Sequence, residues 1–361
     1  MTFTSYFDGS SAAGSLALPR LEGTGGRKTS ALVRGTGSIG ARHLRVLQQL
    51  GVDTLYVWPV RPGTSLQERP DIPAAAELVD RYPGEPLDLV VIASDTRRHV
   101  DDTLEALDHA PGAVLLEKPV APAAADAKVL LEHPRADTIS VSAPLRFHQG
   151  FAVAAELLPR LGRVTSAQVV SQSWLPSWRP NRDFRASYSA RKEDGGVLRD
   201  LVHDIDYPTM LLGAPTQLRS VLGSGILGIE AEESADILWD SPAAVHLRLD
   251  YVTPVKTRSI RVATDEGALV WDVVRNRVAL EWPDAGSGLV ASVEAVFGDD
   301  ADVDTVLARQ SLSILQQAGI DGGTTMNRFR PASLEEGVAS VAICDAARTA
   351  SASGKTEKVV W

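Results

Sequence analysis

The chain has 361 residues, enough for about two domains, and its 44% apolar and 23% charged content excludes a long disordered chain or a collagen-like repeat. Lys and Arg total 36 against 46 Asp and Glu, a net charge of −10 spread along the chain, so no nucleic-acid partner is expected. No stretch approaches the roughly 20 apolar residues that cross a bilayer, and no basic start with an apolar block opens the chain; the sequence reads as soluble and cytoplasmic, with no membrane partner. The single cysteine, Cys344, excludes an intrachain disulfide and a cysteine-rich metal site. It lies in the apolar run Val338–Ala350 and reads as a buried, inert thiol.

Residues 1–29 are rich in Gly, Ser, Ala and Thr and read as a mobile tail, or as an arm that docks on a partner subunit. From Ala31 the pattern becomes short apolar runs separated by helical stretches. Strands are expected at Ala31–Arg34, Thr54–Val60, Leu89–Ala93, Ala113–Leu116 and Thr138–Ser142. Helices are expected from Gly40 through Leu50, at His99–Leu107 and at Ala123–Leu131. Strands alternating with helices predict βαβ units in a doubly wound parallel sheet over residues 30–147. Residues 148–361 change character. A helix at Phe151–Leu158, a strand at Thr165–Ser171 and a loop at Trp174–Lys192 precede an apolar helix opened by Gly195-Gly196 and running to about Leu212. Strand-like runs follow at Leu218–Leu222, Glu233–Trp239, Ala244–Tyr251, Ser259–Ala263, Ala268–Val273 and Val278–Trp282, then helices at Asp302–Ala318 and Ser333–Ala352. That succession predicts a second, α+β domain with a large, open, mainly antiparallel sheet.

Gly35, Gly37 and Gly40 match G-x-G-x-x-G between a strand and a helix, and Ser38 and Ile39 fill the turn. The first glycine permits the tight turn, the second lets a pyrophosphate approach, and the third lets helix and strand pack. The helix N-terminus then offers N–H groups to the phosphate. An acid at the end of the second strand would bind a ribose hydroxyl; here Arg61 stands there instead, 21 residues after Gly40, and suits a 2′-phosphate. NADP is therefore preferred over NAD, the alternative being a solvated arginine in a turn.

Glu117-Lys118-Pro119 ends a buried strand, where ligands of open α/β sheets bind. In Asp194-Gly-Gly-Val-Leu-Arg-Asp-Leu-Val-His-Asp-Ile-Asp206, a continuous helix would put Asp200, His203 and Asp204 on one side. Together these motifs, with Arg42-His43-Leu44 after the glycines, resemble the glucose–fructose oxidoreductase and inositol dehydrogenase (Gfo/Idh/MocA) family over about residues 30–355. The resemblance implies an N-terminal Rossmann domain, a C-terminal domain whose open sheet serves substrate binding and subunit contact, and reversible oxidation of a sugar-like hydroxyl. It further implies that Lys118 stands near the reacting carbon and that Asp200 and His203 form the substrate-side acid/base pair. The chemistry agrees: histidine titrates nearest operating pH, and a lysine ammonium stabilises alkoxide charge. The structural alternatives are a satisfied core histidine and a strand-end surface lysine.

Ser94, Asp95, Thr96 and His99 after the third clear strand join the expected cofactor contacts with Glu117, Lys118 and Pro119. Three departures from the family pattern stand out. The Asp-to-His interval is three rather than four, Asp95 replaces a common proline and either binds a ribose hydroxyl or caps a helix, and Arg34 precedes the first glycine. Residues 174–192 carry five basic side chains and four aromatics in an acidic protein. Arg forks bind carboxylate or phosphate, and aromatic faces stack on sugars or bases. Arg146, His148, Trp178, Arg179, Arg185, Tyr188, Arg191 and Lys192, with Asp200 and His203, are thus the candidate substrate contacts, the alternative for the loop being a solvated basic segment. No metal site is expected, since paired His or Cys spacing is lacking. The expected activity is an NAD(P)-dependent dehydrogenase or reductase on a sugar-like, anionic small molecule, in a homodimer or homotetramer. Alternatives are an imine or ketone reductase, redox-assisted glycoside cleavage, and a non-catalytic dinucleotide sensor.

Overall fold

Ala31-Leu-Val33, Leu89-Val-Val-Ile92 and Ala113-Val-Leu-Leu116 are unbroken apolar runs, the composition of strands covered on both faces. In the computed structural model, which describes residues 21, 28–284, 290–320, 326 and 328–361, they lie side by side in one sheet. The described residues form β1 (Ser30–Arg34), α1 (Ser38–Leu50), β2 (Thr54–Trp58), β3 (Ala76–Leu78), β4 (Leu89–Ile92), α2 (His99–Asp108), β5 (Ala113–Leu116), α3 (Lys128–Leu131) and β6 (Ile139–Val141). The chain continues through α4 (Gln149–Leu157), β7 (Val164–Trp174), α5 (Val197–Asp200), α6 (His203–Leu212), β8 (Gln217–Gly223), β9 (Ser234–Trp239) and β10 (Val245–Asp250). It closes with β11 (Val252–Thr264), β12 (Ala268–Asp272), β13 (Arg277–Pro283), β14 (Val290–Val296), α7 (Val303–Gln317), β15 (Ala332–Ser333), α8 (Leu334–Ser353) and β16 (Glu357–Lys358).

The first sheet runs β15-β6-β5-β4-β1-β2-β3 and is parallel except where β15 meets β6. Parallel pairing sends the carboxyl ends of β2, β1, β4 and β5 to one edge, the edge at which the glycine turn, Ser94 and Lys118 follow their strands. α1 buries Ala41, Leu44, Leu47 and Leu50 and stops at Gly51, whose left-handed backbone returns its N–H to Gln48 and Leu47. The expected tail, residues 1–29, lies outside the described residues apart from Leu21, Lys28 and Thr29. Thr29 is buried, and its N–H and hydroxyl donate to Asp53 at 2.8 and 3.0 Å.

The second sheet has nine strands in the order β14-β13-β12-β11-β7-β10-β9-β8-β16, and among its pairs only β7 with β10 is parallel. Val169, Ile237, Leu247 and Ile260 point to the buried face, while their neighbours Gln168, Leu238, His246 and Arg261 point outward, the period of a half-covered sheet. The buried face meets α4 and α6 around Trp271, whose ring lies 5.2 Å from Phe151 and 5.1 Å from Tyr207. Cys344 on α8 is fully buried in this unit, its Sγ 3.5 Å from the Leu198 carbonyl, and burial pushes the thiol pKa up.

The chain divides into two compact units. One comprises the described residues of Leu16–Phe147 with those of Asp302–Val338; the other includes His148–Ala301 and Ala339–Trp361. The sequence reading assigns 148–361 to a single domain, but α7 packs with the first unit: Gln310 Oε1 accepts the Ala143 N–H and Arg309 donates to the Phe147 carbonyl.

Three local expectations are corrected. Ala123–Leu131 is a 3₁₀ turn (Ala124–Ala127) followed by the single turn α3. The helix expected from Gly196 to Leu212 is two helices, broken at Leu201-Val202, where i+3 bonds such as Asp204 N–H to Leu201 O interrupt the i+4 ladder. β14 follows the last strand anticipated in the second sheet and forms its edge. Among the described residues no helix is long and apolar enough to cross a membrane.

Candidate active site

The turn after β1 is built by steric exclusion. A Cβ on Gly35, whose φ is +111°, would lie 2.5 Å from the Ala93 carbonyl oxygen, and one on Gly40 would lie 2.3 Å from that of Gly35. A Cβ on Gly37 would meet nothing within 4 Å, so this glycine keeps open the space in front of the helix rather than serving internal packing. Gly37 is the N-cap of α1 and no side chain caps it, which leaves the first N–H groups, those of Ser38, Ile39 and Gly40, to an external acceptor. The arrangement fits a dinucleotide pyrophosphate. Arg69, in the connection between β2 and β3, donates to the Thr36 carbonyl inside this turn while its fork grips Asp71 at 2.8 and 2.7 Å. Sequence reasoning missed Arg69, because nothing local marks a contact 33 residues away.

Arg34 is fixed by three contacts. Its guanidinium lies 4.0 Å over the Trp58 ring, donates to the Pro59 carbonyl at 2.8 Å and pairs with Asp102 at 3.3 Å. Arg34 and Trp58 are register partners on adjacent strands, so the platform closes the carboxyl ends of β1 and β2. It borders a cleft of about 760 Å³ also lined by Arg61, Arg81 and Tyr82. Three guanidinium groups against Asp80 make that cleft cationic. Arg61 is exposed in it.

Beyond β4, Asp95 accepts the Arg97 N–H and caps the turn Thr96–Arg98, which is the capping role weighed for it. His99 is buried, with Nδ1 2.8 Å from the Pro119 carbonyl and Nε2 3.3 Å from that of Ser94. Burial lowers its pKa despite those acceptors, and the shorter contact makes Nδ1 the donor of a neutral ring. His99 thereby ties the turn after β4 to the turn after β5. Glu117 is buried against His43 of α1, Oε1 to Nε2 2.8 Å, and its other oxygen accepts the Lys118 N–H at 3.2 Å. Burial alone would raise this carboxyl, but hydrogen bonding from His43, with the charges of His43 and Lys118 and a bond from Ser142, carries it down to about 2. The Lys118 side chain is half-buried at the carboxyl end of β5.

In the second unit, Gly195 and Gly196 turn the chain into α5. A Cβ at Gly195 would lie 2.0 Å from the Tyr188 carbonyl, and one at Gly196, with φ +88°, 2.3 Å from the Glu232 carboxylate. Asp200 ends α5 buried, where Tyr251 donates its hydroxyl to Oδ2. His203 begins α6 half-buried. Asp204, which an unbroken helix would place beside them, is buried under the fork of Arg258 at 3.0 and 2.6 Å. Across the helix break Asp200 and Asp204 thus have different partners, Tyr251 and Arg258.

The loop after β7 encloses a cavity of about 460 Å³ lined by Trp178, Arg179, Arg182, Phe184 and Ser187. Trp178 donates its Nε1–H to Ser173, and Arg179 stands 6.0 Å over the half-buried Tyr188 ring. Arg185 is exposed and stacks over Phe184, Lys192 is exposed, and Arg191 pairs with buried Asp194 at 2.6 Å.

Two further expected substrate contacts are buried. Arg146, in the first unit, is fully buried and pairs with Glu336 at 2.8 Å. Burial raises the Glu336 carboxyl, yet Arg330 and Arg146 bring it down to about 2. Arg146 is therefore a structural cation. Arg146→Met is expected to lower the thermal unfolding midpoint, costing about 3 kcal/mol. His148 is buried edge-on to Trp271, 3.9 Å from the Asp300 carboxylate that receives the N–H groups of Gln149 and Gly150. It belongs to the packing of the α4 N-terminus.

With this geometry in hand, the comparisons with known proteins are specific. Residues 30–143 match the Gfo/Idh/MocA oxidoreductase family with an NAD-binding Rossmann fold, and residues 158–270 match the Gfo/Idh/MocA C-terminal domain. No curated protein sequence matches the chain. A levoglucosan dehydrogenase solved with NADH and L-sorbose superposes with a TM-score of 0.76 at 14% identity, covering 92% of this chain and 99% of that one. An oxidoreductase from Agrobacterium radiobacter, solved with NAD⁺, L-tartaric acid and magnesium, gives 0.73 at 16% identity, again over 92% and 99%. An oxidoreductase domain protein from Kribbella flavida gives 0.75 at 14%, over 92% and 100%. Likenesses at this identity speak to the fold, while the two family matches cover most of the sequence. The chain is a member of the Gfo/Idh/MocA family of NAD(P)-dependent oxidoreductases.

Proposed function

We propose that the protein oxidises or reduces a secondary alcohol/ketone pair on a sugar-like substrate bearing a carboxylate, phosphate or nucleotide group, with NADP preferred over NAD. The observation that carries the substrate class is the 460 Å³ cavity that combines Arg179 and Arg182 with Trp178 and Phe184, since forked cations take an anion and aromatic faces take a sugar or base. The NADP preference is supported by Arg34, Arg61 and Arg81 around the cleft at the end of β2. The levoglucosan and L-sorbose complexes of a protein with this fold lend support to a polyhydroxylated substrate.

The turn Gly35–Gly40 would hold the pyrophosphate, and Ser94, Thr96, Lys118 and Pro119 the nicotinamide half; the bound dinucleotide supplies the hydride acceptor or donor. His203 takes the hydroxyl proton during oxidation and returns it during reduction. Lys118 as ammonium stabilises the charge that develops on the substrate oxygen. Asp200 holds a neighbouring hydroxyl or orients His203. Outward-facing Val221 and Leu238 on the nine-stranded sheet are exposed among charged side chains, a surface suited to homodimer or homotetramer contact.

The test is nicotinamide absorbance with NADP⁺ and NAD⁺ against neutral sugars (glucose, levoglucosan, myo-inositol) and charged ones (glucuronate, glucose 6-phosphate, UDP-glucose). Turnover of a charged sugar at a higher kcat/KM than its neutral counterpart is expected. Turnover confined to neutral sugars refutes the anionic substrate, and equal kcat/KM with the two cofactors refutes the NADP preference.

A further inference from the structure

α5 is a single turn, Val197–Asp200, and the chain leaves the helical ladder at the next residue. The orientation of a buried carboxylate at such a point depends on side chains that donate to it.

Tyr251 meets that need. Along β10 the buried apolar positions are Val245, Leu247 and Leu249, and the same alternation puts Tyr251 inward just beyond the strand. The ring is fully buried, and its hydroxyl donates to Asp200 Oδ2 across 51 residues of sequence. Its backbone is fixed from both sides: the Tyr251 N–H donates to the Glu233 carbonyl at 2.8 Å, and its carbonyl accepts the Leu175 N–H at 3.0 Å. Trp178 packs edge-on against the ring, with centroids 5.4 Å apart and planes at 87°. That same Trp178 lines the 460 Å³ cavity. The Tyr188 ring of the loop lies near enough for the Asp200 charge to act on its hydroxyl. Burial first, and then the Asp200 charge, keeps both phenols well above their usual pKa, so both remain donors across the working pH range.

We propose that Tyr251 is a positioning residue for Asp200: it fixes the carboxylate for the reaction and, through Trp178, joins the anion-binding cavity to the substrate-side acid. The proposal rests on the assignment of Asp200 and His203 to the substrate, and it extends that assignment to a residue that touches neither substrate nor cofactor.

Tyr251→Phe keeps the ring and its contact with Trp178 and removes only the donor. Kinetics are measured with NADP⁺ and the most active of glucuronate, glucose 6-phosphate and UDP-glucose, alongside the unfolding midpoint. The expected result is a kcat lower by roughly 10- to 100-fold, the size of a lost hydrogen bond to a charged group, with KM for NADP⁺ unchanged. Asp200→Asn is expected to lose at least as much, and the double variant no more than Asp200→Asn alone, because both changes act through one carboxylate. Wild-type kcat in Tyr251→Phe beside an impaired Asp200→Asn overturns the proposal, as do additive losses in the double variant. Full activity in Asp200→Asn with the best substrate of the sugar panel, charged or neutral, instead removes the assignment on which the proposal rests. Should Tyr251→Phe fail to fold, Tyr251→His, which keeps a ring and a donor, is compared with Tyr251→Leu: a kcat at least several-fold higher in Tyr251→His is expected, and equal kcat in the two overturns the proposal.

Discussion

His203→Ala is expected to lower kcat by roughly 10²- to 10⁴-fold, the usual worth of a positioned general base, while the protein stays folded. The ring is half-buried at the first residue of α6, so its truncation leaves the packing around Trp271 intact. Lys118→Ala is expected to cost a comparable factor, roughly 10²–10³, because it removes the cation that meets charge on the substrate oxygen. Residues that act on one transition state lose less in combination than the product of their separate losses. The double variant is therefore expected to fall only modestly below the worse single one. Steady-state kinetics with the best charged sugar, and cofactor affinity followed by nicotinamide fluorescence, check all three. Unchanged kcat in both single variants would leave a dinucleotide-binding protein whose chemistry lies elsewhere.

The second large effect concerns stability. Glu117→Gln is expected to destabilise the first unit at neutral pH by about 3 kcal/mol, the worth of a carboxyl lowered from roughly 4.3 to about 2, because the amide keeps the burial but loses the carboxylate that His43 and the Lys118 N–H bond. The sign of the pH dependence follows from the depressed carboxyl. Its folded value of about 2 lies below the roughly 4.3 of an unfolded glutamate. The stabilisation is thus complete above that unfolded value and is lost as pH falls from there towards 2. Glu336, lowered in the same direction, adds to the same acid window. The wild-type unfolding midpoint is expected to drop steeply between about pH 5 and pH 3, and that of Glu117→Gln less steeply, as scanning calorimetry across that range would record.

Much of this was legible in the residues themselves. β1, β4 and β5 announce themselves as apolar runs, and the glycine spacing, Glu117-Lys118-Pro119 and Gly195-Gly196 are local signals whose geometry is set within a few residues. What escaped is what distant partners decide. Arg34 looked anomalous because Trp58, Pro59 and Asp102 reach it only after three segments have folded. The break at Leu201-Val202 was hidden because the apolar period continues through it, while Tyr251 and Arg258 on the sheet hold Asp200 and Asp204 separately. β14 is an edge strand whose alternate positions, Val290, Ser292, Glu294 and Val296, are exposed, and it lacks the large Leu and Trp side chains that mark β12 and β13. For Tyr251 a signal did exist: alternation in Val245–Tyr251 puts a phenol on a buried face, and a buried hydroxyl requires a partner.

The environment of Cys344 makes the protein its own reporter. The sole thiol of the chain is sealed from solvent against the Leu198 carbonyl, two residues before Asp200. Burial that raises its pKa also withholds the reactive thiolate. A thiol-reactive dye is thus excluded from the native protein and gains access only when α8 parts from α5. Its incorporation rate over time measures how often the turn carrying Asp200 opens, without any engineered label.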